Sequence, residues 1–292
     1  AGLDFFRDFV AMVSAFRPLD RQVSYALQTN GMALNEEWTH FLKENQFLVG
    51  LSVDGYRELH DHYRVDTKGE GTYGRVAKAL ALLQKFEVET NLLCVVTGQC
   101  AKHPQKTYAS MKKLGVRYLQ FIPCLDPLEE QRGRAVYSLT PKLYGDFLCG
   151  LFDQWYRDWA EGHYTSVRLF DDYVHLAMGE PASTCAASGG CGSCFVVEAD
   201  GGVYPCDFYV LDRWRMGDVH TYSLKQLAND ETASEFLRQG RLRPSRCASC
   251  RWVPLCNGGC RRDWTGGADD TENYYCESFR RFFEYAADRI GE

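Results

Sequence analysis

The sequence predicts an α/β fold built on a parallel sheet, followed by an irregular cysteine-rich region. Three observations carry that prediction. Strand-length apolar runs alternate with helix-period segments along the first part of the chain, and short connections of this kind imply a parallel sheet, open or closed into a barrel. Glycines and polar residues gather where those strands end, the edge at which parallel sheets place their sites. The 13 cysteines are uneven: Cys94, Cys100, Cys124 and Cys149 precede residue 180, and the rest fall between 185 and 276. That shift in composition marks the best domain boundary.

The elements follow in order. Leu3 to Phe16 has the apolar spacing of a helix. Val23 to Leu27 reads as a strand ending at Thr29-Asn30-Gly31. Asn35 is placed to cap a helix from Glu36 to Glu44. Phe47 to Val53 is a short apolar strand ending at Asp54-Gly55. A glycine-rich turn leads into an amphipathic helix from Tyr73 to Phe86. Thr90 to Val96 is a third strand. A helix from Pro104 to Leu114 stops at Gly115, and Tyr118 to Pro123 is a fourth strand. The chain opens on a helix, which a parallel sheet rarely does, so strands are expected ahead of Ala1. Pro141 to Ala160, rich in Tyr, Trp and Phe, and Val167 to Met178 are helical blocks that lead into the cysteine region. The expected division is a sheet domain over 1–137, connecting helices over 138–184 and a cysteine-rich domain over 185–292. The sequence shows no internal repeat and no low-complexity tract.

Composition excludes several function classes. The chain has 292 residues, 45% of them hydrophobic, enough for a sizeable core. Its 33 Lys and Arg against 39 Asp and Glu leave a formal net charge of −6. That mild acidity gives no basis for a nucleic acid or an anionic membrane as partner. No apolar run approaches the roughly 20 residues of a membrane span. Residues 1 to 16, with Asp4, Arg7 and Asp8 among them, do not read as a signal peptide. A cytoplasmic location is expected. In that compartment cysteines crowded at short spacing read as metal ligands rather than disulfides.

The cysteine spacing is Cys185-x5-Cys191-x2-Cys194-x11-Cys206, then Cys247-x2-Cys250-x5-Cys256-x3-Cys260-x15-Cys276. A C-x2-C pair folds back so that both thiolates reach one metal while backbone N–H groups point at the sulfurs. Four thiolates complete either a tetrahedral zinc site or a cubane cluster. Nine candidates suffice for two such centres, and glycines at 189, 190, 192, 258, 259, 266 and 267 let the backbone turn around them. Spacing alone leaves two structural zinc sites standing beside two iron–sulfur clusters. Cys94 and Cys124 in strands and Cys149 in a helix read as buried small hydrophobes. Cys100 reads as a loop thiol without an evident partner, and Cys194 as a spare.

The residues around the cysteines go further. Val203-Tyr204-Pro205-Cys206-Asp207-Phe208-Tyr209, Arg213-Trp214-Arg215-Met216-Gly217 and Cys256-Asn257-Gly258-Gly259-Cys260-Arg261-Arg262 resemble the SPASM domain of radical SAM enzymes. Within that group the chain is similar, over essentially its whole length, to the anaerobic sulfatase-maturating enzymes. Leu51-Ser52-Val53-Asp54-Gly55 with His60-Asp61 and Arg64 is similar to the strand and loop that hold the cofactor in these enzymes. Gln120 to Pro127 resembles a later barrel strand.

The resemblance implies a partial (β/α) radical SAM barrel, truncated at the N-terminus, ahead of a SPASM domain with short strands and helices. It implies cleavage of S-adenosyl-L-methionine at a reduced [4Fe–4S] cluster and removal of a hydrogen from Cβ of a Cys or Ser in an unfolded sulfatase peptide. Loss of a proton and a second electron then gives Cα-formylglycine, with two auxiliary [4Fe–4S] clusters carrying that electron away. An electron donor such as flavodoxin or ferredoxin is the implied partner. By position, one auxiliary cluster falls to Cys185, Cys191, Cys206 and Cys260, the other to Cys247, Cys250, Cys256 and Cys276. Cys194 gains no role. Asp207 matches the general base, and a negatively charged cubane beside it would make its carboxylate a better proton acceptor. Ser52, Arg64 and Leu125 match positions that contact S-adenosylmethionine. The ordinary readings of these three are a strand-end hydroxyl, a solvated Arg and a core leucine.

One departure matters. The family binds its radical-generating cluster through C-x3-C-x2-C near the N-terminus, and this chain has no such motif: its one C-x3-C is Cys256 to Cys260, with Asp263 at the next position. The family's Gly-Gly-Glu-Pro segment is also absent. The third cluster is therefore expected on a segment that this chain does not contain, and the chain alone is expected to be inactive. A SPASM maturase of another peptide, and a standalone iron–sulfur or zinc-binding module, are the alternatives.

Overall fold

The structure is a computed structural model that describes residues 2–16, 21–128, 130–192, 194–266 and 271–291. Ala1 and Gly267 lie outside the described residues. The chain divides into two compact units. The first is Ala1–Asp126 with Gln131–Leu139 and Gly150–Arg168; the second is Pro127–Glu130 with Thr140–Cys149 and Leu169–Glu292. Residues 138–184 are shared between the two.

The first unit holds β1 (Ala26–Thr29), β2 (Leu48–Ser52), β3 (Thr90–Val96), β4 (Tyr118–Pro123) and β5 (Ser166–Val167). They form one sheet in the order β1-β2-β3-β4-β5, every pair parallel. The strand order never reverses, so successive right-handed crossovers run the same way round. This is the winding of a (β/α) barrel segment rather than of a doubly wound sheet, which settles the alternative that the sequence left open. The helices α1 (Leu3–Phe16), α2 (Glu36–Glu44), α3 (Arg57–Tyr63), α4 (Tyr73–Lys85), α5 (Gly98–Ala101) and α6 (Pro104–Lys112) fall ahead of β1 and between the strands. Leu42, Val49, Leu51, Leu83, Leu92, Val96 and Met111 are completely buried between sheet and helices.

Most boundaries match the sequence reading. Asn35 caps α2, its Oδ1 accepting from the Trp38 N–H at 2.9 Å. Three differences have physical causes. The first strand lies two to three residues later than expected, because its pairing with Leu48–Leu51 begins at Ala26 and takes in polar Gln28 and Thr29. The helix α3 carries little apolar periodicity, with only Leu59 and His60 buried. The strand β5 has two residues, too short for any pattern, and exists through pairing with Tyr118 and Leu119.

The helix α7 (Pro141–Ala160) contributes its first part to the second unit, as does nearly all of α8 (Arg168–Ala177). There Phe147, Phe170, Tyr275, Phe282 and Phe283 are buried, with Phe170 stacked on Phe282 at 5.6 Å. The rest of this unit is short elements: α9 (Cys185–Ser188), β6 (Val196–Val197), β7 (Gly202–Tyr204), β8 (Gly217–Asp218), α10 (Leu224–Ala228), α11 (Glu231–Gly240), α12 (Val253–Cys256), β9 (Trp264–Thr265), β10 (Glu272–Asn273) and the long α13 (Cys276–Ile290). Strands β6, β7 and β8 form a small antiparallel sheet, and β9 with β10 a hairpin.

Candidate metal centres and cofactor edge

Each cysteine segment is held by a specific anchor. Asp172 on α8 is buried, and its carboxylate accepts from the Ser183 N–H and the Thr184 hydroxyl, both at 2.6 Å. Thr184 in turn caps α9, so the segment that starts at Cys185 is fixed at its entry. Asn257, Gly258 and Gly259 have φ of 52°, 86° and 67°, a left-handed run that reverses the chain between Cys256 and Cys260. The Gly258 carbonyl accepts from Asn273 Nδ2 at 2.9 Å and Trp264 Nε1 at 3.0 Å, which ties that loop to the hairpin. Arg246 pairs with Glu272 and, at 2.6 Å, with Glu277, which joins the Cys247 segment to the start of α13.

Cys247, Cys250, Cys256 and Cys276 line one cavity of about 330 Å³, with Trp252, Phe279 and Phe283 among its other walls. The indole N–H of Trp252 is buried there without a protein partner. A chamber of that volume walled by four thiols has room for a four-thiolate cubane.

The remaining cysteines gather separately. The Cys260 thiol feels Cys185 and Cys191, and the Cys191 thiol feels Cys185 and Cys194. Cys206 lies by Asp207, its Sγ 3.4 Å from Asp207 Oδ1, and also feels Cys194. Cys194 Sγ–H donates to the Pro205 carbonyl at 2.9 Å, a bond that requires the neutral thiol. Three sulfurs accept from an N–H two residues on: Cys206 from Phe208, Cys256 from Gly258, and Cys260 from Arg262 at 3.4 Å. Such N–H donors stabilise sulfur carrying negative charge. All thirteen cysteines are free of disulfides. Burial pushes Cys206, Cys256 and Cys260 up to about 12, so metal binding has to displace their protons.

Asp207 opens a single turn of 3₁₀ helix, Asp207–Tyr209, and is exposed. At the sheet, Ser52 ends β2 and pairs with Leu93 of β3. Leu125, half-buried, follows the end of β4 by two residues. Arg64 is not the freely solvated side chain of the ordinary reading: Nε and Nη2 bind the Asp54 carboxylate at 2.6 and 3.2 Å. Asp54, nearly buried, also accepts from the Val95 N–H at 2.9 Å. Ser52 and Leu125 thus lie at the C-terminal ends of β2 and β4, which β3 separates, and Arg64 is tied to that edge through Asp54.

Other cysteine expectations need correction. Cys100 is a fully buried residue of α5 rather than a loop thiol, and it does have partners: its Sγ lies 3.8 Å from Thr107 Oγ1 and it hydrogen-bonds the Cys94 thiol. The cause is the tight turn at Thr97, which folds α5 back on β3. Cys124 lies one residue beyond β4 and is half-buried, with burial pushing its thiol to about 11. Cys149 is also half-buried, beside a surface cavity lined by Arg281, Glu284 and Tyr285. The sequence assigns no anchoring role to Asp172 or Asn273, and Asn257 enters only as part of the Cys256–Arg262 run. Only Asn257, between two cysteines and before two glycines, carried a local signal.

A one-way wound parallel sheet with a two-centre cysteine unit defines an iron–sulfur protein of the radical SAM/SPASM type. The SPASM family, an iron–sulfur cluster-binding domain, matches residues 189–251. A cysteine-type anaerobic sulfatase-maturating enzyme of Clostridium perfringens is 43% identical over 99% of this chain and 79% of its own length. A serine-type relative from Bacteroides thetaiotaomicron is 30% identical over 91% of this chain and 68% of its own. The solved structure of native anSMEcpe with bound AdoMet and Cp18Cys peptide superposes with a TM-score of 0.96, at 43% identity, over 99% of this chain and 81% of that one. This chain belongs to the anaerobic sulfatase-maturating enzymes.

Proposed function

We propose that this chain forms the cofactor edge and the auxiliary-cluster unit of an oxidoreductase that converts a cysteine of an unfolded sulfatase peptide to Cα-formylglycine. The observation that carries this reading is the gathering of Cys247, Cys250, Cys256 and Cys276 around one cavity while Cys206 lies beside Asp207. When bound, S-adenosylmethionine and the [4Fe–4S] clusters supply hydrogen abstraction and an exit for the second electron, with flavodoxin or ferredoxin as external donor. The protein's own residues do the rest. Cys185, Cys191, Cys206 and Cys260 hold one auxiliary centre, and Cys247, Cys250, Cys256 and Cys276 the other. Arg64, fixed by Asp54, meets S-adenosylmethionine together with Ser52 and Leu125. Asp207 accepts the proton that leaves the substrate.

The cysteine preference rests on similarity, 43% to a cysteine-type relative against 30% to a serine-type one. Reliance on thirteen free thiols suits a cytoplasmic location, and among the described residues no helix is long and apolar enough to cross a membrane.

Anaerobic reconstitution is expected to give about eight iron and eight sulfide per chain; stoichiometric zinc without sulfide rejects the cluster reading. A chimera that joins the family's C-x3-C-x2-C segment to this chain is expected to modify a Cys-containing sulfatase peptide faster than its Ser counterpart. A peptide mass unchanged after incubation rejects the activity.

A further inference from the structure

We propose that Arg261 sets the reduction potential of the auxiliary cluster on Cys185, Cys191, Cys206 and Cys260, by holding a fixed positive charge beside its thiolates. The proposal rests on that ligand set.

Arg261 directly follows Cys260, and its guanidinium is enclosed by three rings. Its central carbon lies 5.3 Å from the Tyr209 ring centre, 5.1 Å from that of Trp214 and 5.3 Å from that of Phe236. The same three side chains form a buried cluster against which Cys191 and Cys206 pack. The cage therefore shares its walls with two of the four thiols. A second contact fixes the orientation. Arg261 Nη2 donates to Gln239 Oε1, near the end of α11. The next residue, Gly240, approaches Cys191 so closely that a methyl there would lie 2.5 Å from the Cys191 sulfur. Gln239 therefore anchors the guanidinium where α11 meets a ligand segment.

What Arg261 lacks is equally informative. Among the described residues no carboxylate forms an ion pair with it, and its Nη1 is buried without a partner. The nearby Glu235 feels the Arg261 charge, but its carboxylate is engaged bidentately by Arg238 at 2.7 Å, so it is a shared counter-charge and not a dedicated one. A cation against aromatic faces gains about 1–2 kcal/mol from the ring quadrupoles, which falls short of a dedicated counter-charge for a half-buried guanidinium whose Nη1 is shielded. A four-thiolate cubane supplies that counter-charge, since it is anionic and gains a further negative charge on reduction. A fixed cation stabilises the reduced cluster more than the oxidised one and so raises the potential.

The test is a redox titration of the anaerobically reconstituted chain, followed by electron paramagnetic resonance, for wild type, Arg261→Gln and Arg261→Lys. Iron and sulfide are measured on the same samples. The expected result is full iron in both variants, with one of the two auxiliary transitions moved to a more negative potential in Arg261→Gln and restored toward wild type in Arg261→Lys. The other transition stays in place. Two results overturn the assignment: full iron with both transitions unmoved in Arg261→Gln, or loss of about four irons from both variants, which would make the residue a structural support. Failure of the ligand set is separately visible in Cys206→Ala and Cys260→Ala: each should remove the same transition that Arg261→Gln moves, and removal of different transitions by the two would break the set itself.

Discussion

Asn257 Nδ2 donates to the carbonyl of Ala187 at 2.8 Å, a bond that spans 70 residues of sequence. Cys185 and Cys191 flank Ala187, and Cys256 and Cys260 flank Asn257. One side-chain amide therefore binds the segment that opens the cysteine array to the segment that joins its two proposed centres. Arg243 completes the arrangement, its Nη2 donating to Asn257 Oδ1 at 3.0 Å.

Asn257→Gly and Asn257→Ala should separate tether from backbone. Asn257 has φ of 52°, a conformation that glycine adopts freely and alanine enters at a cost of about 1–2 kcal/mol. Both variants lose two side-chain hydrogen bonds, to Ala187 and from Arg243, each worth about 1 kcal/mol. The expected order of cluster retention during slow exposure to a chelator is wild type, then Gly, then Ala. Equal retention by Gly and wild type would show that the Asn257 side-chain bonds to Ala187 and Arg243 contribute nothing.

The ligand partition predicts a stepwise loss of iron. Cys206→Ala or Cys260→Ala should each remove about four of about eight irons, and combining them should remove no more. Cys206→Ala with Cys276→Ala should remove nearly all. Cys194→Ser should keep the full count, because the Cys194 S–H is already donated to Pro205. Iron analysis of these variants checks the sets directly, and a four-iron loss in Cys194→Ser would exchange it for one of the assigned ligands.

A buried histidine gives the sheet unit a pH dependence. The Asp54 N–H donates to His60 Nδ1 at 3.2 Å, and the other ring nitrogen, Nε2, lies 3.0 Å from Thr72 Oγ1. The Thr72 hydroxyl is spent on the Arg64 carbonyl at 2.9 Å, so His60 must donate through Nε2 and accept through Nδ1. That is the neutral ring. Burial, reinforced by Arg64 and opposed by Asp54, lowers the pKa of His60 below its ordinary value of 6.5. The unfolded chain then takes up a proton near pH 6.5 that the folded chain refuses. Stability from this group is present above about pH 6.5 and is lost as pH falls from there through the folded value. Denaturant unfolding between about pH 7.5 and 5.5 should show the decline, and His60→Gln should reduce its slope while lowering stability at every pH. An unchanged slope in His60→Gln would assign the decline to other groups.

The parallel sheet was legible because β3 and β4 are mostly apolar runs, broken only by Thr90, Asn91 and Gln120, whose bounds coincide with the expected ones. The strand β5 was not, because two residues carry no period and only long-range pairing makes them a strand. The cysteine spacing revealed how many centres there are but not which sulfurs share one. The left-handed loop from Asn257 to Gly259 lies between Cys256 of one proposed set and Cys260 of the other, a relation of space rather than of sequence interval. The long helix α13 was readable in principle from Phe279, Phe282, Phe283, Ala286 and Ile290 at helical spacing. By contrast, the cage around Arg261 draws on residues 209, 214, 236 and 239, and no local pattern links them.

Asp207→Asn tests the proposed base. Asp207 is exposed at the start of a single helical turn, and its Oδ1 lies 3.4 Å from the Cys206 sulfur. Asparagine keeps the shape and can still accept a hydrogen bond, so the turn and both proposed clusters should survive with iron and sulfide unchanged. What asparagine cannot do is take a proton. In the chimera bearing the C-x3-C-x2-C segment, formylglycine yield should fall by about 10²-fold or more, the usual contribution of a positioned base. Cleavage of S-adenosylmethionine should fall much less, because that step precedes the proton transfer. Mass spectrometry of the peptide and chromatography of the cleaved cofactor measure the two separately. Loss of both activities together would place Asp207 in cofactor or substrate binding, and unchanged peptide turnover would remove it from the mechanism.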